Sequence, residues 1–407
     1  MTPSKYSLAT DNFDTEDIQA AIDVLQSGHY TMGQQVQAFE KALADWLGVK
    51  QTIMVNSGSS ANLLLVDSLL RRLNSSKAPL KSGDEVLVPA LAWPTTVWPL
   101  IQLGLKPVFV DIDQKSLSLS LDSATEVLSP KVRGLFLIHV LGYACDMSPY
   151  VDFCRKHDLV LFEDCCESFG AFEQGQHVGT FGYGGSLSHY FSHHLTTIEG
   201  GSLITNDDEL ADDFRSLRAH GWIRERKDKK KFEGQYPGID SRFLFVLPGY
   251  NVRPIEIQAA IGLVQLKKMD SFLENRNKIA NHVIQLTQQF APWMEVPGKE
   301  YAFTNPTERK KRKHSWMCIP FILNMTAPVS VDVVKTILEE NGVETRAIIA
   351  GNLTRHPAIK LVDHRTSRSL QNADELLERG FMIGCSPSLE ASLTTLEKAF
   401  EKLGHLS

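Results

Sequence analysis

A chain of 407 residues with 43% hydrophobic content can bury a large core, and its length suggests one large domain beside a smaller one. A formal net charge of −6, without blocks of a single sign along most of the chain, argues against nucleic acid or an acidic membrane as the main partner and leaves a small charged metabolite compatible. The opening MTPSKYSLATDNFDTEDIQ lacks a signal-peptide apolar core and no run approaches the roughly 20 apolar residues of a membrane span, so cytoplasmic residence is the expectation.

In chain order, TIMVNSG (52–58), EVLVPA (85–90), KPVFVDID (106–113), GLFLIHVLG (134–142), LVLFEDCC (159–166) and GSLITND (201–207) each read as a buried strand ending in small or polar residues. Helix-periodic segments such as SSANLLLVDSLLRRL lie between them. The alternation predicts an α/β fold with a mostly parallel sheet covered by helices. Beyond Pro254 the pattern changes to a long helical stretch and then to mixed short segments, which suggests a large domain over 1–265 and a smaller C-terminal α+β domain over 266–407. The basic run Glu308 to Ser315 reads as a solvated loop, because no aromatic residue is interleaved with it as nucleic-acid binding would require. Lys227 to Gln235 reads the same way, or as a cover at a site entrance. The cysteines at 145, 154, 165, 166, 318 and 385 show no CxxC pair or disulfide-framework spacing and are expected to be reduced thiols.

Ligands of such sheets bind beyond the carboxyl ends of the strands, where three motifs fall. In NSGSSAN (56–62) the amides of Gly58 and Ser59 can hold a phosphate at a helix start, although a plain helix cap has the same appearance. Asp164 ends a strand too apolar to need a carboxylate for folding. It can pair with a protonated pyridine nitrogen or cap the next helix. Glu167, three residues on, shares its helical face. Ser188 can add a hydroxyl to a phosphate cup, and His193 precedes an unusual Glu-Gly-Gly. His194 is expected to point away from His193 in extended backbone. No lysine occurs between His157 and Arg226.

The ordered motifs PALAWPTTV, KPVFVDID, EDCCESFGA, FSHHLTTIEGGSLITND, LRAHGW and LPGYNVRPIEIQAAIGL resemble the DegT/DnrJ/EryC1/StrS family of sugar-modifying enzymes that use pyridoxal 5'-phosphate (PLP), across nearly the whole chain. The resemblance implies the PLP-dependent transferase fold of type I. It implies Trp93 against the cofactor ring, Asp164 at the ring nitrogen, Glu167 as a neighbouring polar contact, and Gly58, Ser59 and Ser188 around the phosphate. Asn251 would reach the phosphate of a second subunit, making a homodimer with shared sites, while His220 and Arg346 would lie near the sugar or amino donor. Without the resemblance, Trp93 reads as a core tryptophan and Asn251 as a turn residue after Gly249.

Most family members carry lysine where His193 stands, and imidazole forms no stable imine. This subgroup resemblance implies a 3-dehydratase acting on a nucleotide-linked 4-keto-6-deoxy sugar, GDP-4-keto-6-deoxymannose being favoured over CDP or dTDP sugars. L-glutamate would supply the amino group through pyridoxamine 5'-phosphate (PMP), His193 would be the base, the C3 hydroxyl would leave as water, and the nitrogen would leave as ammonia. The pathway implied is dideoxysugar (colitose-type) biosynthesis. A related branch with histidine here also carries an iron–sulfur cluster. Four converging thiolates are needed for one, and residues 221–240 contain no cysteine, so neither cluster nor metal is expected. An aminotransferase using a distant lysine and a silent binding protein remain the alternatives.

Overall fold

The computed structural model describes residues 5–10, 12–73, 79–304 and 308–406. Its strands are β1 (Gln51–Val55), β2 (Glu85–Pro89), β3 (Lys106–Val110), β4 (Val132–Ile138), β5 (Val160–Asp164), the hairpin pair β6 (Phe172–Glu173) and β7 (Gln176–His177), β8 (Gly185–Ser188), β9 (Gly201–Thr205), β10 (Met294–Glu295), β11 (Cys318–Leu323), β12 (Arg365–Thr366) and β13 (Gly380–Gly384). Eight of them form one sheet in the order β1-β9-β8-β5-β4-β2-β3-β12. Only β9 runs against the others, pairing antiparallel with both β1 and β8. All six sequence-predicted strands are present. The four-residue β8 and two-residue β12 give too little apolar pattern to be read in advance.

The sheet is apolar on both faces because helices cover both, and every residue of β2 and β9 is buried. Phe136 on β4 and Phe162 on β5 pack ring to ring at 4.3 Å in its centre. Helix Gly58–Leu70, buried around most of its circumference, follows β1 directly and places its N-terminus at the carboxyl edge of the sheet. Helix Pro94–Gln102 starts with proline at its first position, where a missing N–H costs nothing, immediately after Trp93.

A second core surrounds the three-stranded sheet β10-β11-β13. The 35-residue helix Glu256–Phe290 joins the two: Ala259 through Leu273 pack beside the large sheet, and Ile279 through Leu286 in the smaller core. Residue 266 therefore lies inside a continuous helix, and the change of core falls seven to thirteen residues later. Segments also cross over. Tyr6 packs in the smaller core, whereas Ile348, Ile349, Leu353 and Met382 join the large one. No helix among the described residues is long and apolar enough to cross a membrane.

The basic run is a packed strap, not the solvated loop expected. The Arg309 guanidinium lies 4.2 Å from the Trp46 ring centre and bonds Asp270 at 2.6 Å. Arg312 and His314 are buried, His314 stacks on Trp316 at 3.7 Å, and Lys313 pairs with Glu173. Alkyl stems and planar guanidinium groups can bury against aromatic surface, and counting charges alone hides that capacity. Lys227 to Gln235 also carries packed structure, with helix Lys229–Gln235 burying Phe232 against Ile223 and Leu244.

Candidate active site

A cavity of about 360 Å³ opens at the carboxyl edge of the large sheet. The turn after β1 supplies Ser57, Gly58 and Ser59; β5 and the residues after it supply Asp164, Cys166 and Glu167; Ser188 ends β8; and Trp93 follows β2. Met317, Arg346, Ile349 and Met382 close it from the C-terminal half. A larger polar cleft of about 800 Å³ is lined by Glu40 and Arg215, but these are committed to Arg218 and Asp212 at 2.5 and 2.7 Å. The convergent polar groups of the smaller cavity make it the site.

Ser57 caps helix Gly58–Leu70 by accepting from the Ser60 amide at 3.1 Å. The first intrahelical bond runs from the Ala61 amide to the Ser57 carbonyl at 3.0 Å, so the amides of Gly58 and Ser59 have no helical carbonyl one turn earlier and can hold an anion. Ser188 stands opposite: a Cβ on Gly58 would lie 2.6 Å from its Cβ. The Glu-Gly-Gly has a related cause, because a Cβ on Gly201 would lie 2.3 Å from the Ser57 carbonyl oxygen. Both glycines let the phosphate turn seat against β8 and β9. Gly58→Ala is expected to lose about 1–3 kcal/mol of stability through overpacking and to weaken PLP binding, measurable by thermal unfolding and cofactor titration.

Asp164 is 4% exposed, and three donors hold its carboxylate. Oδ2 accepts from Asn62 Nδ2 at 2.8 Å and Thr96 Oγ1 at 2.7 Å, while Oδ1 accepts from the Cys166 amide at 3.0 Å. Asn62 is itself oriented by Ser186 Oγ, which donates to its Oδ1 at 2.5 Å. Such a shell fixes the carboxylate at one point. Asn62, Thr96 and Ser186 escaped the sequence reading, although the first two lie inside quoted motifs. Asp164 caps no long helix here. Glu167 Oε2 accepts from the Leu141 amide at 3.0 Å, and burial, opposed by that bond and reinforced by Asp164, raises its pKa to about 7.

His193 is on a turn, not a strand, its amide donating to Tyr190 O at 3.0 Å. The ring stands edge-on to Tyr190 with centroids 5.9 Å apart. Its Nδ1 is buried without a partner among the described residues, which leaves Nε2 as the nitrogen open to the cavity. Burial lowers its pKa to about 4, with Asp164 pulling upward and Arg276 pushing further down, so the imidazole is neutral at pH 7. His194 does point away: its Nε2 meets the Ser315 carbonyl at 3.1 Å. Among the described residues no lysine lines the cavity. Arg346 is its one full cation, exposed and without a carboxylate at ion-pair distance among the described residues.

Several histidines outside the cavity affect stability. Burial lowers His177, His189 and His314 to about 3. Between pH 6.5 and 3 the unfolded chain therefore binds protons that the folded chain does not, and stability falls with pH by about 1.4 kcal/mol per pH unit for each. Glu167, raised from 4.5 to about 7, opposes one of the three across that interval. Calorimetry should show a lower unfolding midpoint at pH 5 than at pH 7.

Among the described residues one cluster has metal-ligand composition, His139, Glu163 and Cys165. Two of its three groups are held by other partners. Glu163 accepts from His139 and from the amides of Gly179, Phe181 and Gly182 at 2.7 to 3.1 Å, and the Cys145 amide donates to His139 Nδ1. The six cysteines are free thiols, five of them buried.

Residues 11–396 match the DegT/DnrJ/EryC1/StrS aminotransferase family. The chain belongs to this family. It is 35% identical over 383 residues, 93% of each chain, to the GDP-4-keto-6-deoxy-D-mannose 3-dehydratase of Yersinia pseudotuberculosis. The solved Escherichia coli GDP-4-keto-6-deoxy-D-mannose-3-dehydratase with bound hydrated PLP is similar at TM-score 0.87 and 33% identity, covering 100% of both chains. A GDP-4-keto-6-deoxymannose-3-dehydratase with a trapped PLP–glutamate geminal diamine gives 0.85 and 32%, covering 98% of this chain and 99% of the other.

Two residues that the family resemblance brought forward lie outside this family member's cavity. Asn251 is exposed, and its Oδ1 accepts from Arg253 Nε at 3.0 Å. His220 adjoins it, its amide donating to Tyr250 O and its ring set against Trp222 at 5.1 Å. The other eight, Gly58, Ser59, Trp93, Asp164, Glu167, Ser188, His193 and Arg346, share the one cavity. Trp93 is 55% exposed and lines the site, so it is no core tryptophan.

Proposed function

We propose that the chain is a PLP- and PMP-dependent 3-dehydratase that removes the C3 hydroxyl of a nucleotide-linked 4-keto-6-deoxy sugar, with GDP-4-keto-6-deoxymannose as substrate. L-glutamate supplies the amino group, which leaves as ammonia. The observation that carries this reading is a neutral imidazole on the wall of an aminotransferase-type cavity that no lysine lines among the described residues. The names of the similar dehydratases support the substrate, and the trapped glutamate adduct in one of them supports the amino donor.

The donor set fits PLP. Gly58, Ser59 and Ser188 would hold the phosphate, Asp164 the protonated ring nitrogen, Trp93 a ring face and Glu167 a neighbouring polar atom. When bound, the cofactor supplies the electron sink and the amine. The rest is proton traffic by this chain. His193 Nε2, uncharged and facing the cavity, can accept a proton from the carbon bearing the amine and return it to the departing C3 oxygen. Glu167, balanced near neutrality, can buffer that transfer. Arg346 offers an unpaired charge for the glutamate carboxylate or the sugar's diphosphate. The exposed Asn251 and its neighbour His220 would serve the partner's site in a homodimer. Such an enzyme would supply dideoxysugars of the colitose type for a surface polysaccharide such as O-antigen.

Incubation with PLP, L-glutamate and GDP-4-keto-6-deoxymannose tests this. Equal amounts of 2-oxoglutarate and ammonia are expected, together with a sugar lighter by one oxygen atom, the two electrons coming from glutamate. An amino sugar without ammonia would identify an aminotransferase instead.

A further inference from the structure

Arg276, on helix Glu256–Phe290, is 1% exposed and has no carboxylate partner at ion-pair distance among the described residues. Its Nη1 donates to the carbonyls of Trp316, Met317 and Cys385, each at 3.0 Å, and its buried Nε has no acceptor among the described residues. Removing a guanidinium from water without a counter-ion is unfavourable, and neutral carbonyls offset that only in part. A hydrophobic side chain would fill this place at lower cost, so the charge and its bonds call for another explanation.

Two of the three carbonyls belong to the segment Ser315–Met317. Trp316 holds a left-handed φ of 51°, which a bulky residue keeps only under external restraint. Met317 lines the cavity, and Ser315 O bonds His194 Nε2. A continuous path thus runs from the guanidinium through Ser315–Met317 to His194 and the turn that carries His193.

Resting on the reading of His193 as the base, we propose that Arg276 is a positioning residue for His193, clamping the Ser315–Met317 segment to which His194 anchors the turn. Its charge acts in the same direction. Burial chiefly lowers the His193 pKa, and Arg276 adds to that against the pull of Asp164. The remaining titratable groups lining the cavity are Cys166, Glu167 and Arg346 across it and Tyr190 and Glu199 on the segment of His193 itself, where the buried His189 and His194 also interact with the His193 charge.

The test follows the His193 ring by NMR titration in cofactor-free protein, alongside dehydration kinetics at pH 7. Arg276→Gln keeps a donor but removes the charge, and His194→Leu cuts the path at its other end. Each should move the His193 midpoint up toward 6.5 and lower turnover about tenfold to a hundredfold. Arg276→Lys should keep the midpoint and recover most of the turnover. If either the glutamine or the leucine variant folds and its His193 titrates as in the unaltered protein, the inference is overturned. His194→Leu decides the matter should Arg276→Gln fail to fold. Absence of ammonia release by unaltered protein would instead sink the dehydratase reading and leave the titration comparison standing.

Discussion

His193→Asn should lower dehydration turnover by about 10²–10⁴, the usual worth of a positioned general acid–base, while leaving cofactor binding intact. The reasoning is local. Among the described residues the buried Nδ1 has no hydrogen-bond partner to lose, so the exchange removes a proton carrier without dismantling a network there. Asn62, Thr96 and Cys166 would still hold Asp164, and PLP titration should be close to that of the unaltered chain. Rapid-quench product analysis and cofactor absorbance measure the two halves separately. Undiminished turnover in this variant would remove His193 from the reaction.

Asp164→Asn is expected to damage both binding and stability. The carboxylate accepts three hydrogen bonds from donors that have few alternatives in a buried pocket. An asparagine can satisfy one side with its carbonyl, but its NH₂ group then faces other donors. Orphaned groups of this kind cost about 1–3 kcal/mol each. The counter-charge for a protonated ring nitrogen disappears as well, and loss of a preorganised electrostatic partner of this kind lowers turnover by about 10²–10³. Thermal unfolding without cofactor separates the first effect from the second. An unchanged midpoint would mean that the Asn62–Thr96–Asp164 network contributes little.

Much of the fold was legible because burial on both faces writes continuous apolar runs, and six such runs became strands of the large sheet. β8 and β12 were not, since four residues of GSLS and two of Arg-Thr carry no periodicity and owe their pairing to neighbours. The split into two cores was visible only as a change of texture after Pro254. A helix that serves both cores has one unbroken pattern and conceals the crossing between Leu273 and Ile279.

Within the site, residues on strand ends or in tight turns were legible because chemistry there conflicts with plain folding: an acid ending an apolar strand, paired glycines, a histidine with no lysine near it. Asn62, Thr96 and Arg276 were less visible. Each does its work through another residue, so its place follows from tertiary contacts that no local spacing encodes. The strap around Arg309 and His314 was misread for the opposite reason, its charges being conspicuous and its packing on Trp46 and Trp316 concealed.

The central claim is that an imidazole stands where an amine would otherwise tether the coenzyme. Loading the protein with PLP, reducing with borohydride and weighing the intact chain tests it directly. The expected result is an unmodified mass with all cofactor released on denaturation. A stoichiometric adduct mapped to one lysine of the chain would contradict the account.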